Sequence, residues 1–230
     1  FMERLTGTRF HTNYNLIGGA RYDMDAETAG QAKELADRME RSLGELRNMT
    51  GKSGVFHARQ RGIGVIPADL ALAVGVTGPT LRASGVPFDV RRAMPYDAYA
   101  ELQFDVPTRT EGDALARFEV RLEEITQSAR IVRQIADGLP EGPIFARKPL
   151  KNPKATRVKE GEIYSAVESP RGELGFYLVA DGKAFPYRLK INAPSFCNLQ
   201  VIQHVAPGLL LADVIATLGS LDPVLGDVDR

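Results

Sequence analysis

The chain has 230 residues, with 29 basic and 29 acidic side chains, no net formal charge and 43% hydrophobic residues, the balance of an ordinary globular protein. Zero net charge gives no argument for nucleic acid as a partner. A single cysteine, Cys197, excludes an internal disulfide and cannot by itself build a cysteine-rich zinc or iron–sulfur site. The longest apolar run near the end, Leu209 to Leu218, is interrupted by Asp213 and falls short of the roughly 20 apolar residues that cross a bilayer.

The opening Phe1-Met2-Glu3 has neither the basic segment nor the apolar core of a secretory signal, and a Phe ahead of Met leads us to expect a piece of a longer protein. From Asp25 to about Asn48 the residues favour helix. Asp25 serves as N-cap, Leu35, Met39, Leu43 and Leu46 recur at threes and fours, and Gly51 is the expected end. A short helix is predicted from Pro67 to Val74, stopping at Gly75. The Gly/Pro-rich block Gly75 to Pro87 lacks both the strand–GxGxxG–helix context of dinucleotide binding and the lysine of a P-loop, so it reads as a segment that cradles no nucleotide.

The strongest periodic signal is Leu115, Phe118, Leu122, Ile125, Ala129, Val132, Ala136 and Leu139, a helix seam that packs on other helices. Thr110 and Asp113 give its start signal, and Gly138 with Pro140 its stop. Residues 140–160, rich in proline and carrying Arg147, Lys148, Lys151, Lys154, Arg157 and Lys159, read as an exposed loop. Strands are predicted at Glu162 to Glu168 and Glu173 to Ala180, with Asp181-Gly182 as a two-residue hairpin turn and Pro186 limiting the next run to a sheet edge. Pro207 to Leu218 reads as a helix closed by Gly219, followed by an extended tail. The expected fold is α+β and helix-dominated, with a small antiparallel sheet in the C-terminal half. Its regions are 1–139 (helical), 140–160 (loop) and 161–230 (sheet, terminal helix and tail).

Five stretches carry a resemblance. They are Thr6-Gly7-Thr8-Arg9-Phe10-His11 with Ile17-Gly18-Gly19; Thr77 to Gly85 running into Asp89-Val90-Arg91-Arg92 and Pro95 to Tyr99; Gly112-Asp113 with Arg117, Glu123-Glu124, Gln127-Ser128 and Arg130; Glu168-Ser169-Pro170-Arg171-Gly172-Glu173 with Gly175-Phe176-Tyr177; and Ala193-Pro194-Ser195-Phe196 to the end. In this order they resemble the D subunit of proton-pumping NADH:quinone oxidoreductases, or complex I, over roughly the last three-fifths of such a protein. The tail Asp222-Pro223-Val224-Leu225-Gly226-Asp227-Val228-Asp229-Arg230 resembles the D-P-C-x-x-C terminus of nickel-iron hydrogenase large subunits, the related family. Val224 and Asp227 stand where the two thiolates would be, and an isopropyl group cannot coordinate a soft metal. Leu16 stands where the family usually has arginine.

The resemblance implies a hydrogenase large-subunit-like fold whose old nickel cavity has become a quinone cavity. It also implies a peripheral subunit that reaches the membrane only through its neighbours, on the cytoplasmic side of a bacterial inner membrane or the matrix side in a mitochondrion. The implied partners are the B subunit with its terminal 4Fe–4S cluster, the C and I subunits, the membrane H subunit and the quinone itself. No cofactor is expected on this chain alone, no metal ligand is assigned to it, and the piece alone is expected to catalyse nothing.

By that resemblance His11 lies beside the terminal cluster. An electron added about 5 Å away, at an effective dielectric of ~20, stabilises imidazolium by roughly 3 kcal/mol, about two pKa units, so His11 would take up a proton on reduction. The same resemblance puts Asp213 and Ile215 on the quinone cavity, with a salt-bridged structural role as the alternative for Asp213, since a buried acid among apolar residues needs a partner. Glu168, Arg171 and Glu173, in an E-x-x-R-x-E pattern, together with Arg82, are expected to form a structural ion-pair network, with a proton path as the other reading. His57, His204 and Cys197 carry no assigned function, and Cys197 reads as a small buried hydrophobe. Two rival functions stay in view: a non-redox scaffold that docks neighbouring subunits, and a nickel-iron hydrogenase large subunit, against which the missing thiolates count.

Overall fold

The computed structural model describes residues 1–10, 12–145 and 158–229. His11 and the basic residues 147–157 of the expected loop lie outside the described residues. The chain opens with α1 (Met2–Thr6) and the two-residue strands β1 (Asn15–Leu16) and β2 (Gly19–Ala20). These are followed by α2 (Ala26–Gly51), α3 (Gly54–Ala58), α4 (Ala68–Ala73), α5 (Gly78–Ala83), α6 (Val90–Ala93) and α7 (Ala114–Asp137). A three-stranded antiparallel sheet, β3 (Gly161–Ser169), β4 (Gly172–Ala180) and β5 (Arg188–Asn192), comes next. The C-terminal part is α8 (Pro194–Leu199), α9 (Ile202–Val205), α10 (Leu211–Leu221) and α11 (Leu225–Val228). The fold is α+β and helix-dominated, with its larger sheet in the C-terminal half, as the sequence predicts.

Two long helices form the frame. The Asp25 carboxylate accepts from the Thr28 N–H at 2.7 Å and caps α2, satisfying one of the open donors of a first turn. The helix buries Ala29, Ala32, Ala36 and Leu43 at helical spacing. It runs antiparallel to α7: Lys33 pairs with Asp137, and Arg133 pairs with Asp37 at 2.6 Å and with Glu40 at 2.7 Å. Exposed pairs of this kind each contribute little, so the small residues in the seam decide the packing.

At the start of α7 the cap is Asp113, not Thr110. Its Oδ1 accepts from the Ala116 N–H at 2.8 Å and its Oδ2 from the Gly62 N–H at 2.7 Å, which ties the preceding loop to the helix.

The main core cluster joins Ile66, Ala71, Val76 and Leu81 to Val201 and Leu221, so α4 and α5 share one apolar interior with the C-terminal helices. Burying each such aliphatic side chain is worth roughly 1.5–3 kcal/mol. A second contact, Ala83 with Ala116 and Val120, presses α5 onto α7.

Three sequence expectations are corrected: the two-residue turn at Asp181-Gly182, the bounds of the C-terminal helix and the extended tail. The Gly/Pro-rich block contains α5, whose six residues are all buried; its Pro79 sits in the first turn, where a missing N–H costs nothing. The tight turn of the sheet is Pro170-Arg171, because Ser169 pairs with Gly172. Asp181-Gly182 instead begins the longer connection to β5, which follows Pro186 as the edge strand. Gly51 is the last residue of α2, as expected, but Gly219 does not stop its helix: α10 starts at Leu211 and reaches Leu221, where Asp222 takes the left-handed conformation at φ 54° that ends helices. The tail is not simply extended, since it contains α11.

The β3–β4 turn abuts the start of α5. Gly78 has φ 67°, and a Cβ there would collide with the Arg171 carbonyl; Gly172 has φ 130° and faces Thr77 just as closely. Both positions need glycine for conformation and for room. Asn198 stitches this junction, accepting from the Thr77 N–H at 2.9 Å and donating to the Arg171 carbonyl at 3.2 Å.

Candidate functional site

The junction places Arg82 at the centre of a buried charge cluster. Its side chain is 2% exposed. Nε donates to Glu124 Oε1 of α7 at 2.6 Å, while Nη1 donates to Glu168 Oε1 of β3 at 2.9 Å and to the Phe88 carbonyl at 2.9 Å. Asp89 stands 3.7 Å away and is itself held by Arg91 through Nε at 3.0 Å and Nη2 at 2.6 Å. The Asp89 Oδ1 also accepts from the Arg91 N–H at 2.9 Å, which caps α6. The second oxygen of Glu168 takes the Val90 N–H at 3.1 Å.

These groups do not titrate alike. Burial works against the charge on Arg82, but Glu124, Glu168 and Asp89 outweigh it and the guanidinium is raised. Burial pushes the Glu168 carboxyl up, further than Arg82 pulls it back, and the nearby Asp89 adds to the rise. For Asp89 burial also acts upward, but Arg91 and then Arg82 hold the carboxyl below the usual range.

Of the four residues expected in one ion-pair network, the structure joins Arg82 to Glu168 and sends the other two elsewhere. Arg171 turns to the tail, with Nη2 3.1 Å from Asp222 Oδ2 and Nε donating to the Asp222 carbonyl at 3.2 Å. Glu173 sits across the strands from Glu168, where two free carboxylates would repel. Its carboxylate accepts from the Tyr164 hydroxyl, and its N–H donates to Thr77 Oγ1 at 3.0 Å.

Asp213 lies on the inner face of α10, buried, with Oδ1 2.9 Å from Arg59 Nη2. Arg59 follows α3 and has no sequence signal linking it to Asp213. The outer face of α10 carries Leu211 at 78% exposure, Ile215 at 63% and Leu218. These recur at spacings of four and three, so one apolar stripe faces outward. Asp213 and Ile215 are thus on opposite faces of the helix.

In the tail, Asp227 Oδ2 accepts from the Ser195 N–H in the first turn of α8 at 2.8 Å, and the Val224 N–H donates to Ser195 Oγ at 3.3 Å. The two positions that match thiolates in the hydrogenase terminus therefore clasp the tail onto α8. This donor set does not fit nickel: one side chain has no donor atom, and the other spends an oxygen on an N–H. Among the described residues no group of three or more His, Cys, Asp or Glu could hold a metal ion, and no helix is long and apolar enough to cross a membrane.

Cys197 is half-buried, and its thiol donates to Asn192 Oδ1 at 3.3 Å. His204 contacts Gln203 at 3.4 Å. His57 packs edge-on to Phe56, with its Nδ1 buried and unpartnered among the described residues. Sequence reasoning passed over Arg59, Glu124 and Arg121. For Arg121 a signal was available, since Arg117 and Arg121 stand four apart beside the apolar seam of α7.

A family model described as respiratory-chain NADH dehydrogenase, 49 Kd subunit, matches residues 1–230. The chain is 42% identical to the D subunit of the NADH-quinone oxidoreductase of Acidiphilium cryptum, over its full length and 62% of that relative. It is 40% identical to the D 2 subunit of the NADH-quinone oxidoreductase of Koribacter versatilis, over 99% of its own length and 62% of the relative's. To NADH-quinone oxidoreductase subunit 4 of Thermus thermophilus it is likewise 40% identical, over 99% and 61%. It spans about three-fifths of the length of the curated relatives it matches. The chain belongs to the family of the 49-kDa subunit of the respiratory-chain NADH dehydrogenase.

Proposed function

We propose that this chain is part of the peripheral arm of an NADH:quinone oxidoreductase and forms one wall of the site where quinone is reduced, next to the terminal 4Fe–4S cluster of the B subunit. The reaction of the whole complex oxidises NADH to NAD+ and delivers two electrons and two protons to the quinone, giving quinol. In this reading the C and I subunits and the membrane H subunit are the further neighbours, and attachment to the membrane is through them.

The observation that carries the reading is the tail, matched throughout by the family, in which Val224 and Asp227 replace soft-metal donors and Asp227 is bonded to the Ser195 N–H at 2.8 Å. The exposed stripe Leu211, Ile215 and Leu218 on the adjoining helix α10 supports an apolar quinone wall, since small-molecule sites are lined mainly by apolar side chains. Asp213, held by Arg59 behind that stripe, positions the wall and sets its charge. His11 is the residue that answers reduction of the cluster by taking up a proton.

The test is made in the assembled complex. Asp213→Ala lowers quinone-reductase turnover several-fold while NADH oxidation by an acceptor that takes electrons upstream is unchanged and the complex still assembles. Unchanged turnover, or loss of assembly, returns Asp213 to a purely structural role and favours the scaffold reading. His11→Met flattens the pH dependence of the terminal cluster's potential in a redox titration. An unaltered slope rules out the role given to His11.

A further inference from the structure

Two arginines of α7, Arg117 buried and Arg121 half-buried, have no carboxylate within salt-bridge distance among the described residues. Arg117 is 0% exposed and spends its bonds on neutral oxygens: Nε donates to Ser220 Oγ at 2.9 Å, and Nη1 donates to the Gly64 carbonyl at 3.0 Å and the Gly112 carbonyl at 2.7 Å. Its Nη2 is enclosed and unpartnered among the described residues. One turn later, Arg121 makes a single long bond, Nη1 to the Arg117 carbonyl at 3.3 Å, and its Nε is likewise enclosed and unpartnered. Buried charges are almost always paired, because desolvation of an ion without a counter-charge is costly. The acids near enough to matter are committed elsewhere: Asp113, which acts on Arg117, to the Ala116 and Gly62 N–H groups at 2.8 and 2.7 Å, Asp222 to Arg171 at 3.1 Å and Glu124 to Arg82 at 2.6 Å.

Two cavities meet at this unanswered charge. One, of about 390 Å³, is lined by Phe56, Ala114, Phe118, Arg121, Ala216 and Ser220. The other, of about 300 Å³, is lined by Arg82, Arg91, Arg121, Glu124 and Glu168. Arg121 and Asp222 border both. Burial lowers both guanidiniums, Arg117 to about 9, and the Arg121 charge adds to the lowering there. A counter-anion would relieve both.

We infer that the cavity between α3, α7 and α10 is an oxyanion site anchored by Arg121, taking a carboxylate or phosphate whose apolar part lies on Phe56 and Phe118. Those two rings stand edge to face at 5.1 Å and supply the apolar wall that such ligand sites use. Arg117, behind Arg121, adds charge without reaching the ligand. The site stands whether or not the quinone reading does. The oxyanion has two candidate sources, a free small anion or a carboxylate belonging to another part of the assembled enzyme.

The test uses the full-length protein with inorganic phosphate, ionic strength being held constant with sodium chloride. Phosphate raises the melting temperature in a saturable way that chloride does not reproduce, and Arg121→Gln weakens the response at least tenfold. Ala216→Asp, which puts a carboxylate into the same cavity, also abolishes the phosphate response and raises the phosphate-free melting temperature. A wild-type protein without a phosphate-specific response, or a folded Arg121→Gln variant that keeps it, overturns the site. Should Arg121→Gln fail to fold, the wild-type isotherm and Ala216→Asp decide. In the assembled complex, retention of radiolabelled phosphate that is lost in Arg121→Gln identifies a free anion. Its absence there, with binding to the isolated chain, identifies a carboxylate supplied by a neighbour.

Discussion

Arg82 and Arg121 lie on helices pressed together by Ala83, Ala116 and Val120, and both border the same cavity, yet they end in opposite electrostatic situations. Arg82 meets two carboxylates within 3 Å and a third at 3.7 Å, drawn from α7, β3 and the residue before α6. Arg121 has Asp222 and Glu124 near enough to matter, but each is held by another arginine. The first cation is a knot that fixes four elements relative to one another. The second is a charge that the described residues leave open, and a closed network and an open one on adjacent helices mark a boundary between holding the fold and receiving something.

The sharpest way to break this comparison is to remove the closed cation. Arg82→Met leaves Glu124 and Glu168 in the interior without their guanidinium, and breaking a buried pair from one side costs about 3–5 kcal/mol. Urea denaturation should show that loss, the largest expected from a single substitution in either network. If Arg82→Met costs less than about 1 kcal/mol, the carboxylates relax into water, and the knot is not what holds α5 to β3. Adding Glu168→Gln to Arg82→Met should recover part of the loss, since removing both partners is less harmful than stranding one.

The closed network also marks the limit of what sequence alone makes legible. The α7 seam is readable because Leu115, Phe118, Leu122 and Ile125 repeat at the period of a helix, and β4 is readable because Leu174, Phe176 and Leu178 alternate onto one face. The α5 helix is hidden: Gly78-Pro79 looks like a loop, and only burial of all six residues against α7 and the core overrides that composition. The turn at Pro170-Arg171 is legible, because strands are predicted on both sides of it and Ser169 pairs with Gly172. What misleads is Asp181-Gly182, whose ideal turn chemistry opens a longer connection, since β5 begins only at Arg188.

Site residues divide in the same way. That Asp213 needs a partner follows from its apolar neighbours, whereas the partner's identity, Arg59, depends on how α3 and α10 are brought together. The local pattern Glu168, Arg171 and Glu173 suggests mutual pairing, but a hairpin turn splays these side chains toward Arg82, Asp222 and Tyr164 in turn. Spacing tells which residues share an element; it does not tell which elements meet.

A smaller change sharpens the comparison by testing why Arg82 can serve Glu124 and Glu168 at short range. The third acid, Asp89, is taken off its hands by Arg91, which grips both carboxylate oxygens and stacks over Phe104 at 4.9 Å. Asp89→Asn keeps an acceptor for the Arg91 N–H but removes the charge, and should cost about 1–2 kcal/mol at neutral pH. Since the Asp89 carboxyl is held below its ordinary value of 3.8 in the folded protein, the stability it contributes is present above that pH and is lost as the pH falls through the folded value. Wild type and variant should therefore differ most near neutral pH and draw together in urea melts as the pH falls below 3.8 through the folded value. A gap that does not narrow on acidification would mean that the substitution damages the α6 cap and not the charge balance, and the closed state of Arg82 would then rest on Glu124 and Glu168 alone.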